Sequence, residues 1–378
     1  MICGDRGGER NLKSSLAAAT CRIFGSPGRY VQGPGVLALL PSLLREFEVR
    51  KPLWLADRFV QGLLCEQLPL LLAANWHTFQ GECTAAEVDA VTRTVEALDC
   101  DVIIGVGGGK AIDAAKGAQI ATRARLFTVP TVASTDAPIS RMAILHTEDH
   151  RVEELRTMRS NPDLVVVDSA ILARAPRRYM VAGLGSALSK RFEMAHCKSV
   201  NGVNFYQGRP AHVVTLLGEA CFDTVMADTE EALQAVARGR PNAAFERVLE
   251  ASMLLSGLAF ENGGLSVAHA LQLGLSVVPD LQGSLTGERV AFGLMVQLIL
   301  EGDAARPHID RLLPYYRMTG LPTSLEAMGM ARHRVPAAAR HIALVSVARS
   351  TLLKNFPRPI DTAQLAAAIQ AASGLACA

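Results

Sequence analysis

The clearest indication of the fold class is the stretch of residues 102–113, Val102-Ile103-Ile104-Gly105-Val106-Gly107-Gly108-Gly109-Lys110-Ala111-Ile112-Asp113. Its first five residues form an uncharged run, which predicts a strand buried on both faces, as in a parallel sheet. Three consecutive glycines then lead into a helical pattern. Glycines at a strand-to-helix turn let a phosphate approach the backbone, where the helix N–H groups point at it. The stretch therefore predicts a pyrophosphate site, although a tight turn alone would need only one or two glycines.

Similar apolar runs predict further strands at residues 52–56, 127–130 and 164–167, with helical patterns between them. Strands that alternate with helices are typical of a parallel sheet. After Pro176 the strand signals stop, and Ala, Leu, Glu and Arg dominate at helical spacing. We therefore predict an N-terminal extension (residues 1–21), an α/β dinucleotide-binding domain with a parallel sheet (22–176) and an all-α domain (177–378).

The amino-acid composition indicates which kinds of molecule the protein binds. Among 378 residues, 38 Lys and Arg stand against 36 Asp and Glu, which leaves a net charge of +2 and no basic footprint for nucleic acid. The 8 cysteines are scattered without metal-site spacing, and no apolar run is long enough to cross a membrane. We expect a cytoplasmic protein with reduced thiols, a small-molecule substrate and no membrane or nucleic-acid partner. Symmetric homo-oligomers are common among soluble enzymes, and we expect one here.

Two polar segments follow predicted strands. Asp57 ends the strand at 52–56, where an acidic residue can bind the ribose of a dinucleotide and disfavour the 2′-phosphate of NADP. The neighbouring Arg58 weakens that preference, and Asp57 can equally cap the next helix. The loop at residues 130–138 holds hydroxyls and a carboxylate at the end of another strand, where α/β proteins bind ligands. Capping turns would explain this loop equally well.

Seven stretches extend these motifs along the chain: SPGRYVQG (26–33), IGVGGGK (104–110), PTVASTDAP (130–138), NPDLVVVD (161–168), VAGLG (181–185), ENGGL (261–265) and GERVAFG (287–293). Together they cover about residues 22 to 375 in consistent order. They resemble the glycerol-dehydrogenase-like branch of the iron-containing, group III alcohol dehydrogenases, whose fold is shared with dehydroquinate synthase.

The resemblance implies catalysis in a cleft between the two domains, with NAD(H) or NADP(H) as cofactor. It assigns Asp136 to the substrate and position 146, here His146 where relatives usually have Tyr, to the dinucleotide. The other implied cofactor residues are Asp57, Gly107, Gly108, Gly109, Lys110, Asp113, Thr131, Ser134, Ser140 and Met142.

The metal site that the resemblance implies is degenerate in this chain. The family holds a divalent metal through one Asp and two His, and the metal polarises the substrate oxygen. The corresponding residues here are Ser186, His269 and Thr286. One imidazole with two neutral hydroxyls is a poor metal site, because zinc and harder cations need stronger ligands. We expect that no divalent metal is bound.

Lys190 offers a substitute for the ion. In a helix it lies at i+4 from Ser186, on the same face, and its side chain leans toward the position of the lost carboxylate. Our hypothesis is that Lys190, His146 or His269 supplies the proton or hydrogen bond that a metal supplies in relatives. The alternative is that Lys190 is a solvated surface residue, since lysine is rarely buried unless paired.

These observations predict an NAD(P)H-dependent, metal-independent reductase of a small imine or activated carbonyl. An iminium is already cationic and needs no Lewis acid, whereas a ketone needs an acid to stabilise the developing alkoxide. Two alternatives stay open at this point. One is a catalytically inactive protein that keeps the fold for binding or assembly, and the other is a metal-dependent polyol or hydroxy-acid dehydrogenase with unrecognised ligands.

Overall fold

A six-stranded parallel sheet forms the first half of the chain in the computed structural model, which describes residues 20–375. The strand order is β1-β8-β5-β4-β2-β3, and β6 and β7 form a separate antiparallel hairpin. The strands are β1 (Tyr30–Gly33), β2 (Pro52–Ala56), β3 (Asn75–Thr78), β4 (Val102–Gly107), β5 (Arg125–Pro130), β6 (Met142–His146), β7 (Val152–Thr157) and β8 (Leu164–Asp168). All but the last two residues of the predicted N-terminal extension lie outside the described residues.

Helices cover both faces of this sheet. They are α1 (Leu40–Glu46), α2 (Arg58–Gln67), α3 (Ala85–Leu98), α4 (Gly109–Thr122) and the short α5 (Ser169–Leu172). One apolar cluster packs α3 and α4 against residues such as Ile103, and a second packs α1 and α2 against residues such as Ile104. Because Ile103 and Ile104 are neighbours in β4, they point to opposite faces of the sheet. The predicted α/β arrangement with a parallel sheet is confirmed.

From Arg177 to residue 375 the regular elements are helical. They are α6 (Arg177–Ser199), α7 (His212–Arg238), α8 (Ala243–Glu250), α9 (Ser256–Gly263), α10 (Val267–Ser276), α11 (Thr286–Glu301), α12 (Arg306–Thr319), α13 (Val335–Arg349) and α14 (Thr362–Gly374). A π-helical turn at Ala251–Leu255 joins α8 to α9. One large apolar cluster holds these helices together. None of the described helices is long and apolar enough to cross a bilayer.

The helical half packs closely on the loop that follows β5. A Cβ atom added to Gly183, in α6, would lie 2.2 Å from the carbonyl oxygen of Ala133. A Cβ at Gly287, in α11, would lie 1.7 Å from the carbonyl oxygen of Ala182, in α6. Glycine is therefore required at both positions, because any side chain would push backbone apart. This packing brings α6 against the carboxyl edge of the sheet.

Candidate active site

The glycine turn has the geometry of an anion site. Gly107 ends β4 with φ of +144°, a conformation that favours glycine. The helix α4 begins at Gly109, and no side chain caps its N-terminus. A Cβ at Gly109 would lie 3.1 Å from Oγ1 of Thr135, so a side chain would fill the space in front of the turn. Uncapped N–H groups at the positive end of a helix fit the pyrophosphate of a dinucleotide.

Asp57 lies at the carboxyl end of β2, which neighbours β4 in the sheet. Its Oδ1 accepts a hydrogen bond of 2.8 Å from the backbone N–H of Val60, so it caps α2 as the alternative interpretation proposed. The cap does not use Oδ2, so this atom could still accept a hydrogen bond from ribose. A contact of Asp57 with ribose stays a prediction.

A buried lysine that the sequence analysis missed organises several predicted cofactor residues. Lys116 is fully buried in α4, and its Nζ lies 3.1 Å from Oδ1 of Asp113, 3.2 Å from Oγ of Ser140 and 2.7 Å from the carbonyl oxygen of Met142. Burial raises the pKa of Asp113, although the charge of Lys116 opposes the shift. The structure thus brings these three predicted residues together directly behind the glycine turn. The i+3 spacing of Asp113 and Lys116 within the otherwise apolar stretch from Ala111 to Ala118 was the available signal.

Lys110 and His146 contact the same carboxylate, that of Glu82. Nζ of Lys110 is 2.6 Å from Oε2 of Glu82, and Nδ1 of His146 is 3.5 Å from Oε1 of the same carboxylate. His150 also contacts Glu82. Burial, above all, lowers the pKa of His146. His146 therefore belongs to this carboxylate group in the α/β half, and the structure does not place it with Lys190 and His269.

The loop after β5 connects the turn to the helical half. Thr131 is buried, and its backbone N–H donates to the carbonyl oxygen of Gly107 over 3.0 Å. Ser134 follows Ala133, the residue on which α6 packs. Two residues further, Asp136 is buried where the loop meets α6 and α9.

Lys190 is fully buried at the centre of this junction. Its Nζ lies 2.9 Å from Oδ2 of Asp136, 3.0 Å from Oγ of Ser186 and 3.2 Å from Nε2 of His269. An ammonium has three N–H groups, and each of them has one of these acceptors. The interpretation of Lys190 as a solvated surface lysine is wrong, because its i+4 position on α6 points inward. We call Lys190, Asp136, Ser186 and His269 the ammonium cluster.

Two further residues that the sequence analysis missed hold the ammonium cluster in place. Oγ of Ser256 donates to Oδ1 of Asp136 over 2.8 Å. Oε2 of the fully buried Glu193 lies 2.6 Å from Nδ1 of His269. Burial alone would raise the pKa of Glu193, but its interactions with His269 and the charge of Lys190 hold that pKa at about 2. Burial, foremost, lowers the pKa of His269, although the charge of Glu193 opposes this shift.

The signals for these two residues differ. Glu193 follows Lys190 at i+3 and Ser186 at i+7, so the face of α6 that carries the predicted residues also carries this carboxylate. Ser256 lies on another helix, just after the π-helical turn, and gave no local signal. The guanidinium of Arg141 donates to the carbonyl oxygens of Met158 and Phe205.

The three positions of the degenerate metal site do not fit a divalent ion. Ser186 and His269 converge on Nζ of Lys190, so an ion between them would have to lie where the ammonium lies. Thr286 is exposed at the start of α11, and its carbonyl oxygen accepts from Gln272. Within residues 20–375, no three His, Cys, Asp or Glu side chains are grouped as a metal site. The donor set is one imidazole, one hydroxyl and one carboxylate already paired with an ammonium.

A glycine turn lies at the edge of the parallel sheet, and a buried polar cluster lies between the α/β half and the helical half of the chain. This combination is typical of dinucleotide-dependent oxidoreductases. The model of the iron-containing alcohol dehydrogenase family matches residues 27–169. A glycerol dehydrogenase of Escherichia coli is 34% identical over 355 residues, with 92% of this chain and 95% of the relative covered.

Two other relatives agree. A glycolaldehyde reductase of Halobacterium salinarum is 31% identical, with 82% of this chain and 85% of that protein covered. The crystal structure of a probable glycerol dehydrogenase from Sinorhizobium meliloti superposes with a TM-score of 0.89 and 36% identity, covering 95% of this chain and 99% of that one. The chain belongs to the iron-containing alcohol dehydrogenase family, in its glycerol-dehydrogenase-like branch, and is an NAD(P)-dependent oxidoreductase.

Proposed function

We propose that this enzyme reduces a small, activated carbonyl compound with NADH or NADPH and needs no metal ion. In this proposal the ammonium of Lys190 takes the place of the divalent ion of the family. The observation that carries it is the position of Nζ, 3.0 Å from Ser186 and 3.2 Å from His269, the two family ligand positions that converge here.

The charge balance of the cluster supports this substitution. By the resemblance, relatives have a carboxylate at position 186 and a divalent ion beside it. Ser186 removes one negative charge, and the ammonium of Lys190 supplies one positive charge where the ion would supply two. A carboxylate with a divalent ion and a hydroxyl with an ammonium therefore carry the same net charge. Drift after loss of catalysis would not be expected to keep that balance, so we favour an active enzyme over an inactive one.

The ammonium also favours a carbonyl over an imine as substrate. The oxygen of a carbonyl becomes negatively charged as it is reduced, and a nearby ammonium stabilises that charge. An iminium is cationic from the start, and the same ammonium would repel it. The relative named glycolaldehyde reductase supports an aldehyde as the substrate.

The bound nicotinamide would supply a hydride to the carbonyl carbon. The electron pair of the carbonyl π bond then moves to the oxygen, which is hydrogen-bonded to Lys190. All three N–H groups of Lys190 already have acceptors, so the substrate oxygen must replace one of them. Ser186 is the neutral hydroxyl among these acceptors, and it is the one we expect to yield. A proton delivered through Lys190 from water completes the alcohol. Asp136 and His269 keep the ammonium in place during this step.

The test is turnover of the purified, chelator-treated enzyme, with its metal content measured by mass spectrometry. We expect oxidation of NADH or NADPH by small aldehydes at a rate that zinc, iron or manganese does not increase. Activity that requires a stoichiometric metal would overturn the proposal. A cyclic imine serves as the competing substrate, and faster reduction of the imine would favour the imine hypothesis.

The matched variants are Lys190→Met and Lys198→Met, which remove a buried and an exposed lysine from the same helix. Loss of one donor to a developing oxyanion lowers kcat by about 100- to 1,000-fold in other enzymes, and we expect this for Lys190→Met. Lys198→Met should keep wild-type turnover. Unchanged turnover of Lys190→Met would refute the role of the ammonium.

A further inference from the structure

The buried carboxylate of Glu193 contacts two backbone N–H groups and two side chains. Its Oε1 accepts from the backbone N–H groups of Ser266 (2.9 Å) and His269 (3.0 Å). Its Oε2 accepts from Nδ1 of His269 (2.6 Å) and Oγ of Ser189 (2.9 Å). The backbone contacts place a negative charge at the N-terminus of α10, where no side chain of that helix provides a cap. Glu193 thus fixes both the helix that carries His269 and the imidazole itself.

The contact with Nδ1 determines the tautomer of His269. An ammonium can only donate a hydrogen bond and a carboxylate can only accept one, so Nδ1, which faces Glu193, carries the hydrogen of the imidazole. Nε2 then presents a lone pair to Nζ of Lys190, 3.2 Å away. The other tautomer would place an N–H against the N–H groups of the ammonium. The orientation of Lys190 therefore depends on a residue that it does not touch.

We propose that Glu193 is a positioning residue for the ammonium of Lys190, acting through His269. His269 takes one N–H of Lys190 and Asp136 takes a second. The third, which contacts Ser186, is directed to the position of the substrate oxygen. This inference rests on the proposed function, since it assumes that Lys190 acts on the substrate.

The central variant is Glu193→Gln, which keeps the shape. Its one amide oxygen is needed by the backbone N–H groups of Ser266 and His269, so its NH₂ group faces Nδ1 and cannot accept from it. In the Ser-His-Asp triad, a wrong imidazole tautomer lowers kcat by about 10,000-fold. Because His269 contacts Lys190 rather than the substrate, we expect a smaller loss, on the order of 100-fold. The affinity for NADH should stay unchanged, since the glycine turn lies in the other half of the chain. Ser189→Ala is the control, because it removes one hydrogen bond from the same carboxylate without changing the tautomer. It should keep kcat within a few-fold of wild type.

Combining Glu193→Gln with Lys190→Met distinguishes a positioning role of Glu193 from a purely structural one. In a Lys190→Met background, Glu193→Gln should lower the remaining activity by less than about twofold, because residues that act as a unit are not additive. Glu193→Asp keeps the charge and should recover part of the activity that Glu193→Gln loses. If Lys190→Met has no effect, the proposed function fails. If Lys190→Met is impaired but Glu193→Gln has wild-type kcat, or keeps its full effect in the Lys190→Met background, the positioning role fails.

A measurement on the wild-type enzyme keeps the inference testable even if the variants do not fold. The ¹⁵N chemical shifts of the His269 ring, assigned through bonds from its own backbone resonances, report which ring nitrogen carries the hydrogen. We expect hydrogen on Nδ1 and none on Nε2. Hydrogen on Nε2 of His269 in the folded wild-type protein would overturn the proposal.

Discussion

The ion pair between Lys190 and Asp136 predicts a specific pattern of stability in a double-mutant cycle. The two side chains are 0% and 10% exposed, and their charged atoms are 2.9 Å apart. Removing one partner of a buried pair costs about 3–5 kcal/mol, because the other charge stays buried and unpaired. Asp136 keeps its hydrogen bond from Ser256 and a little solvent contact, so Lys190→Met should cost about 3 kcal/mol, at the low end.

The complementary change, Asp136→Asn, leaves the fully buried ammonium with neutral partners only and should also cost about 3 kcal/mol. In the double variant neither charge is buried, and a pair replaced by neutral groups of similar volume is often nearly neutral. The double variant should therefore lose no more than about 2 kcal/mol, whereas additive effects would give about 6 kcal/mol. Urea unfolding, followed by circular dichroism and fluorescence, measures all four proteins. If the losses in free energy of unfolding were additive, the two charges would not stabilise each other, and our description of the ion pair would be refuted.

Three further predictions concern the α/β half. Gly109→Val should weaken NADH binding by about tenfold or more, because the valine side chain fills the space in front of the glycine turn. The control is Gly62→Ala, where an added Cβ meets no atom within 4 Å. This control should bind NADH normally in the same fluorescence titration. Lys116→Met leaves Asp113 buried without its cation and should lower the free energy of unfolding by about 3 kcal/mol, measured in urea; a change below 1 kcal/mol would contradict the buried pair. Asp57→Ala loses a helix cap worth about 1 kcal/mol, whereas Asp57→Ser keeps the cap, so only the alanine variant should be destabilised. Both Asp57 variants should bind NADPH better relative to NADH, and an unchanged ratio would remove Asp57 from the nucleotide site.

The strands that the sequence predicted are those buried on both faces. The runs at β2, β4, β5 and β8 pack between two helical layers, and a continuous apolar segment is the signature of that environment. The strands β1 and β3 were missed because they lie at the two edges of the sheet. Their four residues each are only partly covered, so they carry no continuous apolar run.

The ammonium cluster was predictable only in part. The i+4 spacing placed Lys190 beside Ser186 on one helix face, and family motifs placed Asp136 and His269 nearby. Burial could not be predicted, because it depends on how α9, α10 and the loop after β5 close over α6. Glu193 was within reach of the same spacing argument, whereas Ser256 was not, since it contacts Asp136 across 120 positions of sequence.

Chemical rescue of Lys190→Ala tests most directly whether an ammonium acts in place of the ion. The substitution removes three carbons and the Nζ atom, which are the atoms of propylammonium. We predict that propylammonium restores saturable aldehyde reduction to the variant, that tetramethylammonium, which has no N–H, does not, and that neither changes the wild-type enzyme. Restoration by zinc but not by propylammonium would contradict the account, because it would mean that the site requires a metal.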